Sequence, residues 1–114
     1  MPHIILTHTS DLTALAEGLL SDLCDMAETQ GFDRPLIKAY TLPIGSSVMA
    51  GVPDAPMLRL TLRILSKAER TPDMIAGWLD DLLDRAGRDL PGGCILTGEA
   101  VALPEHYVSR TIPG

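Results

Sequence analysis

The hydrophobic period of this chain changes in a fixed order, strand-like, then helix-like, then strand-like, and the whole order then repeats. Alternation in twos places side chains on one face of a strand, while spacings of three and four place them on one stripe of a helix. Pro2 to His8 reads as a short strand. Ser10 and Asp11 offer N-cap chemistry for a helix whose stripe is Leu12, Leu15, Leu19, Leu23 and Met26, and Gly31 is a natural residue to stop it. Leu36 to Ile44 is strand-like again, and Pro43 within it predicts an edge position or a bend.

The second round begins after residues 45–56, where two glycines and two prolines predict a loop or small hairpin. Leu58, Leu60, Leu62 and Ile64 alternate with Arg59, Thr61 and Arg63, giving a strand with one buried and one polar face. Thr71-Pro72-Asp73 is a helix start, in which a hydroxyl caps, proline takes the first turn and an acid meets the positive helix end. Ile75, Trp78, Leu79, Leu82, Leu83 and Ala86 form that helix's apolar face, with Trp78 in the core. Gly87 and Pro91-Gly92-Gly93 end it, Cys94 to Leu103 forms a last strand, and Pro104 to Gly114 is a polar tail. The expected fold is α+β: two β-α-β units forming a four-stranded sheet with two helices on one face, in a single domain spanning residues 1–114. Such a sheet has open edges, and pairing them between subunits protects them, so an oligomer is expected.

The formal net charge of −6, from nine Lys and Arg against 15 Asp and Glu, argues against nucleic acid or an anionic membrane as a partner. No stretch is long and apolar enough to span a bilayer, and the first residues lack the pattern of a signal peptide, so the expected location is cytoplasmic. Cys24 and Cys94 have neither metal-type nor redox-type spacing and are read as buried free thiols. His3, His8 and His106 are too scattered to suggest a metal site. Arg59 and Arg63 share a strand face and read as a solvated or subunit-facing strip. A Ser/His/Asp nucleophile pattern, a phosphate-binding glycine loop and a basic-aromatic patch are all missing from the sequence.

Pro2 carries the most distinctive chemistry. A small second residue usually permits removal of the initiator methionine, and this would leave the proline nitrogen as a free secondary amine at the head of the first strand. An amine whose pKa lies near the operating pH serves as general base and general acid. With Met1 attached, the same nitrogen is a tertiary amide without basicity. The structural alternative is that Pro2 merely starts a strand, where its missing N–H does little harm.

Three stretches in order along the chain carry a family resemblance: Met1-Pro2-His3-Ile4-Ile5, the strand Leu60-Thr61-Leu62-Arg63-Ile64, and the turn Arg70-Thr71-Pro72-Asp73. With the doubled β-α-β plan, they resemble the tautomerase superfamily and within it the 5-carboxymethyl-2-hydroxymuconate isomerases. The resemblance implies an enzyme that moves a proton on an unsaturated keto or enol carboxylic acid, a small-molecule substrate, with no cofactor and in a homotrimer. It implies Pro2 as the catalytic acid/base and Arg70 as a substrate-binding residue that grips a carboxylate, a task suited to a planar guanidinium. Where the isomerases have Arg-x-Arg, this chain has Lys38-Ala39-Tyr40. Lys38 keeps a positive charge and Tyr40 a hydroxyl, so both remain candidates for binding the substrate or the developing enolate, with a weaker hold on a dicarboxylate. A second reading, motivated by that departure, is a catalytically inactive protein of this fold that serves as a ligand-binding or structural oligomer.

Overall fold

The computed structural model describes residues 2–114. Four strands, β1 (His3–Thr9), β2 (Lys38–Ile44), β3 (Met57–Ile64) and β4 (Ile95–Ala102), form one sheet in the order β2-β1-β3-β4. β1 pairs parallel with β2, β3 pairs parallel with β4, and the two halves meet along an antiparallel β1–β3 seam. Parallel neighbours need a long crossover, and the helices α1 (Thr13–Thr29) and α2 (Pro72–Gly87) provide it.

The register explains which side the helices cover. Ile4 and Leu6 stand opposite Leu62 and Leu60 across the seam, and with Leu58 and Ile64 they face Leu12, Ala16, Leu19 and Leu23 below α1 and Leu82 and Ala86 of α2. The alternate residues, among them His3, Ile5 and Thr7 on β1 and Arg59, Thr61 and Arg63 on β3, point to the face without helices. That face exposes large apolar side chains at Tyr40 (40%), Leu42 (49%) and Val101 (42%). In the isolated chain it is therefore a mixed surface, with these apolar side chains exposed among charged ones.

Local chemistry accounts for the element ends. Thr71 caps α2 by accepting a hydrogen bond from the Met74 N–H at 3.2 Å, with Pro72 in the first turn. Gly31, at φ +105°, ends α1 in a Schellman motif: its N–H reaches the Glu28 carbonyl at 3.0 Å and the Phe32 N–H reaches the Ala27 carbonyl at 3.1 Å. The N-cap expected from Ser10 and Asp11 is not formed. Ser10–Leu12 instead make a 3-10 turn, with the Thr13 hydroxyl donating to the Ser10 carbonyl, because the chain must turn out of β1 before it can start α1. The second strand begins at Lys38 rather than Leu36, since Pro35 directs Arg34–Leu36 into another 3-10 turn. Pro43 lies on the edge strand β2, as its missing donor requires. Residues 45–56 contain turns and no strand, so they form a loop rather than a hairpin.

Cys24 and Cys94 are free, but half-buried rather than buried, because each sits at the margin of a helix-sheet contact. Burial still pushes both thiols above their ordinary pKa. Trp78 is partly buried against the core, its ring edge-on to Phe32 at 5.0 Å.

β4 owes its close approach to α2 to Gly98. A Cβ at that position would lie 2.6 to 2.9 Å from the Leu83 side-chain carbons. Gly98→Ala should destabilise the protein by about 1–3 kcal/mol, the usual penalty for overpacking, measurable as a lower urea midpoint with an unchanged slope.

Candidate active site

The antiparallel seam places the amino ends of β1 and β2 and the carboxyl ends of β3 and β4 at one end of the sheet. Pro2, Lys38, the Leu65–Arg70 loop and the chain after Leu103 are gathered there. Pro2 is fully buried, and its carbonyl accepts the Lys38 N–H at 3.0 Å. Met1, on whose removal the basicity of Pro2 depends, lies outside the described residues.

Lys38, His3 and Arg63 occupy one rung across three strands and point to the helix-free face. The Lys38 ammonium donates to the Tyr107 hydroxyl at 3.1 Å and to the Ser109 hydroxyl at 2.6 Å. The same Tyr107 oxygen lies 2.8 Å from His3 Nε2. Its ring stands edge-on to the imidazole, 5.3 Å between centroids. His3 is buried at 7% exposure. Burial, and then the positive charges of Lys38 and Arg63, hold its pKa below the ordinary value. Among the described residues the ion pairs involve only Arg34, with Asp25 and Glu28, and Arg85, with Asp22 and Asp89. Among those residues Lys38, Arg63 and Arg70 have no carboxylate partner, in a chain of net charge −6.

Arg70 reaches the same end of the sheet but a different setting. Its guanidinium donates to the Leu65 carbonyl at 2.7 Å and lies over the Phe32 ring at 5.3 Å, on the ring that the Gly31 turn presents. It borders a small cleft of about 80 Å³ between the β3–α2 loop and the end of β4, lined also by Ile64, Ser66, Lys67, Ile75 and Ala100. Pro2 and Lys38 do not line that cleft. Tyr40 is two residues along β2 from Lys38, on the same face, and its hydroxyl has no hydrogen bond among the described residues. Of the four residues singled out from the sequence, Pro2 and Lys38 thus lie together, Tyr40 continues their row, and Arg70 stands apart from them within one chain.

Sequence reasoning missed His3 as a site residue and passed over Tyr107 and Ser109 as part of a polar tail. The one available cue was His3 on the alternate, non-core phase of a strand that begins beside Pro2. For Tyr107 and Ser109 there was none, since an unpatterned tail does not say where it crosses the fold.

No protein-family model matches the sequence, and no curated protein matches it. Solved structures do. A 5-carboxymethyl-2-hydroxymuconate isomerase from Deinococcus radiodurans R1 superposes with a TM-score of 0.73 at 21% identity, over 96% of this chain and 88% of that one. The fused 4-OT wild-type symmetric trimer gives 0.69 at 16% identity, over 95% and 93%. A member of the cis-3-chloroacrylic acid dehalogenase family gives 0.69 at 13% identity, over 95% and 79%. The chain has the tautomerase fold. Within this fold, Lys38 and Arg63, two cations with no ion pair among the described residues, flank His3 where β1 begins.

The depressed His3 pKa gives a testable sign. A base whose folded pKa is lowered binds fewer protons folded than unfolded, so its contribution is fully present above about pH 6.5 and is lost as pH falls through the folded value. Unfolding free energies measured from pH 8 to pH 4 should show this loss in the wild type and a shallower one in His3→Gln.

Proposed function

We propose that this protein is a cofactor-independent tautomerase or isomerase of an unsaturated keto or enol carboxylic acid, with Pro2, freed by loss of Met1, as acid and base. The observation that carries the reading is the pair of cations without an ion pair among the described residues, Lys38 and Arg63, flanking His3 beside Pro2. The tautomerase fold of the structural neighbours, two of them isomerase and 4-OT proteins, supports it.

The chemistry follows from charge. The Pro2 nitrogen would take a proton from the substrate carbon next to the carbonyl or in vinylogous conjugation with it. The electron pair of the broken C–H bond moves into the π system and places negative charge on the oxygen. The proline ammonium then returns the proton to a different carbon, or the reverse sequence ketonises an enol. Preorganised donors in a site shielded from water stabilise that oxygen by several kcal/mol. Lys38 is suited to this as a point charge, Tyr40 offers a hydroxyl on the same face, and Arg70 can hold a carboxylate in two-point fashion if its guanidinium turns from Leu65 or meets a neighbouring subunit.

An oligomer is part of the reading. The helix-free face carries Tyr40, Leu42 and Val101 exposed, the sheet edges β2 and β4 are unpaired, and one structural neighbour is a symmetric trimer. We infer a homotrimer, in which each open face is covered by neighbouring copies. Light scattering coupled to size exclusion should return about three times the 12.2 kDa chain mass; a monomer would overturn the trimer.

The function is tested by ketonisation of 2-hydroxymuconate and phenylenolpyruvate, with intact mass to establish whether Met1 is absent. Pro2→Ala should lower kcat/KM by about a hundredfold or more, the range of a lost general base. Equal rates in the two proteins, or no turnover of any enol acid by the processed wild type, would overturn the assignment and leave a ligand-binding oligomer.

A further inference from the structure

The segment after β4 does more than end the chain. Its first residue, Leu103, is buried and continues the β3–β4 ladder through its N–H to the Ile64 carbonyl at 2.8 Å. From there it passes the end of β3 and brings Tyr107 to His3 of β1 and both Tyr107 and Ser109 to Lys38 of β2, joining residues 104, 69 and 71 positions apart in sequence.

We propose that Tyr107 is a positioning residue of the active site: its hydroxyl accepts from Lys38, donates to His3 Nε2, and so aims the Lys38 ammonium at an anionic substrate oxygen. The directions follow from the donor inventory. An ammonium has three N–H donors and no acceptor, so the Tyr107 oxygen must accept from Lys38. The Tyr107 proton is then free for His3, whose Nε2 is an acceptor when the neutral ring carries its proton on Nδ1. The charged groups on this rung, Lys38 from β2 and Arg63 from β3, disfavour a second proton on His3. Tyr107 and Ser109 use two ammonium donors, and the third remains for a ligand. Ser109 is exposed and Tyr107 half-buried, so the anchor is built from a sheltered hydroxyl and an outer one. This inference rests on the reading of Lys38 as a substrate-binding group, but its first test does not.

Tyr107→Phe keeps the ring that packs on His3 and removes only the hydroxyl. In substrate-free protein, long-range proton-nitrogen NMR of the imidazoles should find wild-type His3 as the Nδ1–H tautomer. In Tyr107→Phe, that preference should weaken and the His3 pKa should rise toward its ordinary value, because the bond that favours the neutral ring is gone. With an enol acid as substrate, the same change should raise KM about tenfold, the scale of a hydrogen bond to a charged group, with a smaller change in kcat. Ser109→Ala, at an exposed position, should shift KM in the same direction with His3 unaltered and the fold intact. A wild-type His3 protonated mainly on Nε2, or a His3 titration identical in wild type and Tyr107→Phe, overturns the proposal. Absence of turnover in the wild type instead fails the tautomerase reading, and the NMR result still decides the role of Tyr107.

Discussion

The antiparallel seam between β1 and β3 is the constraint on which the rest depends. Each strand is joined to its outer neighbour through a helix and lies parallel to it, so reversing one half against the other brings two strand beginnings and two strand ends to the same edge. Had the halves met in parallel, Pro2 and Lys38 would lie far from the Leu65–Arg70 loop and from the tail. The seam holds because Ile4 and Leu6 meet Leu62 and Leu60 beneath two helices, where fully burying such a side chain contributes about 1.5–3 kcal/mol. A slip of β1 by one residue would turn Ile4 and Leu6 to the open face and carry His3 into the core.

The same register builds the electrostatics. Lys38, His3 and Arg63 share a rung because the two pairings of β1 align them. Burial and two adjacent cations then hold the imidazole's pKa below its ordinary value. Four of the acidic residues are paired away from it: Asp22, Asp25 and Glu28 on α1 and Asp89 after α2 meet Arg34 and Arg85, while Glu99 on β4 takes a hydrogen bond from the Thr61 hydroxyl. A strongly acidic protein can thus hold a local positive site for a small anion, since exposed charges are screened within about 10 Å. The hydroxyls of Tyr107 and Ser109 satisfy Lys38 without neutralising it, which a carboxylate in their place would do.

Arg70 shows how far a local pattern reaches. The turn Arg70-Thr71-Pro72-Asp73 announced a helix start, and Thr71 and Pro72 fulfil it. The same turn did not reveal that Arg70 would bond to Leu65 and stack on Phe32 instead of joining Lys38. That choice is made by Gly31, whose positive φ turns Phe32 back under the loop, 38 to 39 residues away along the chain.

What the sequence determined by itself was what depends on near neighbours: the two β-α-β rounds, the Thr71 cap, the Gly31 stop, and an edge or a bend at Pro43. Period and capping are local properties, and the hydrophobic effect makes them sufficient to choose the elements. The tertiary structure alone decided that His3 stands beside Lys38, that Arg70 stands apart from Lys38, and that Tyr107 joins both His3 and Lys38. Those contacts span long stretches of chain, and the tail that supplies Tyr107 has no periodicity. Its path is set by where Leu103 is buried and by the two polar groups that need a partner at the end of the sheet.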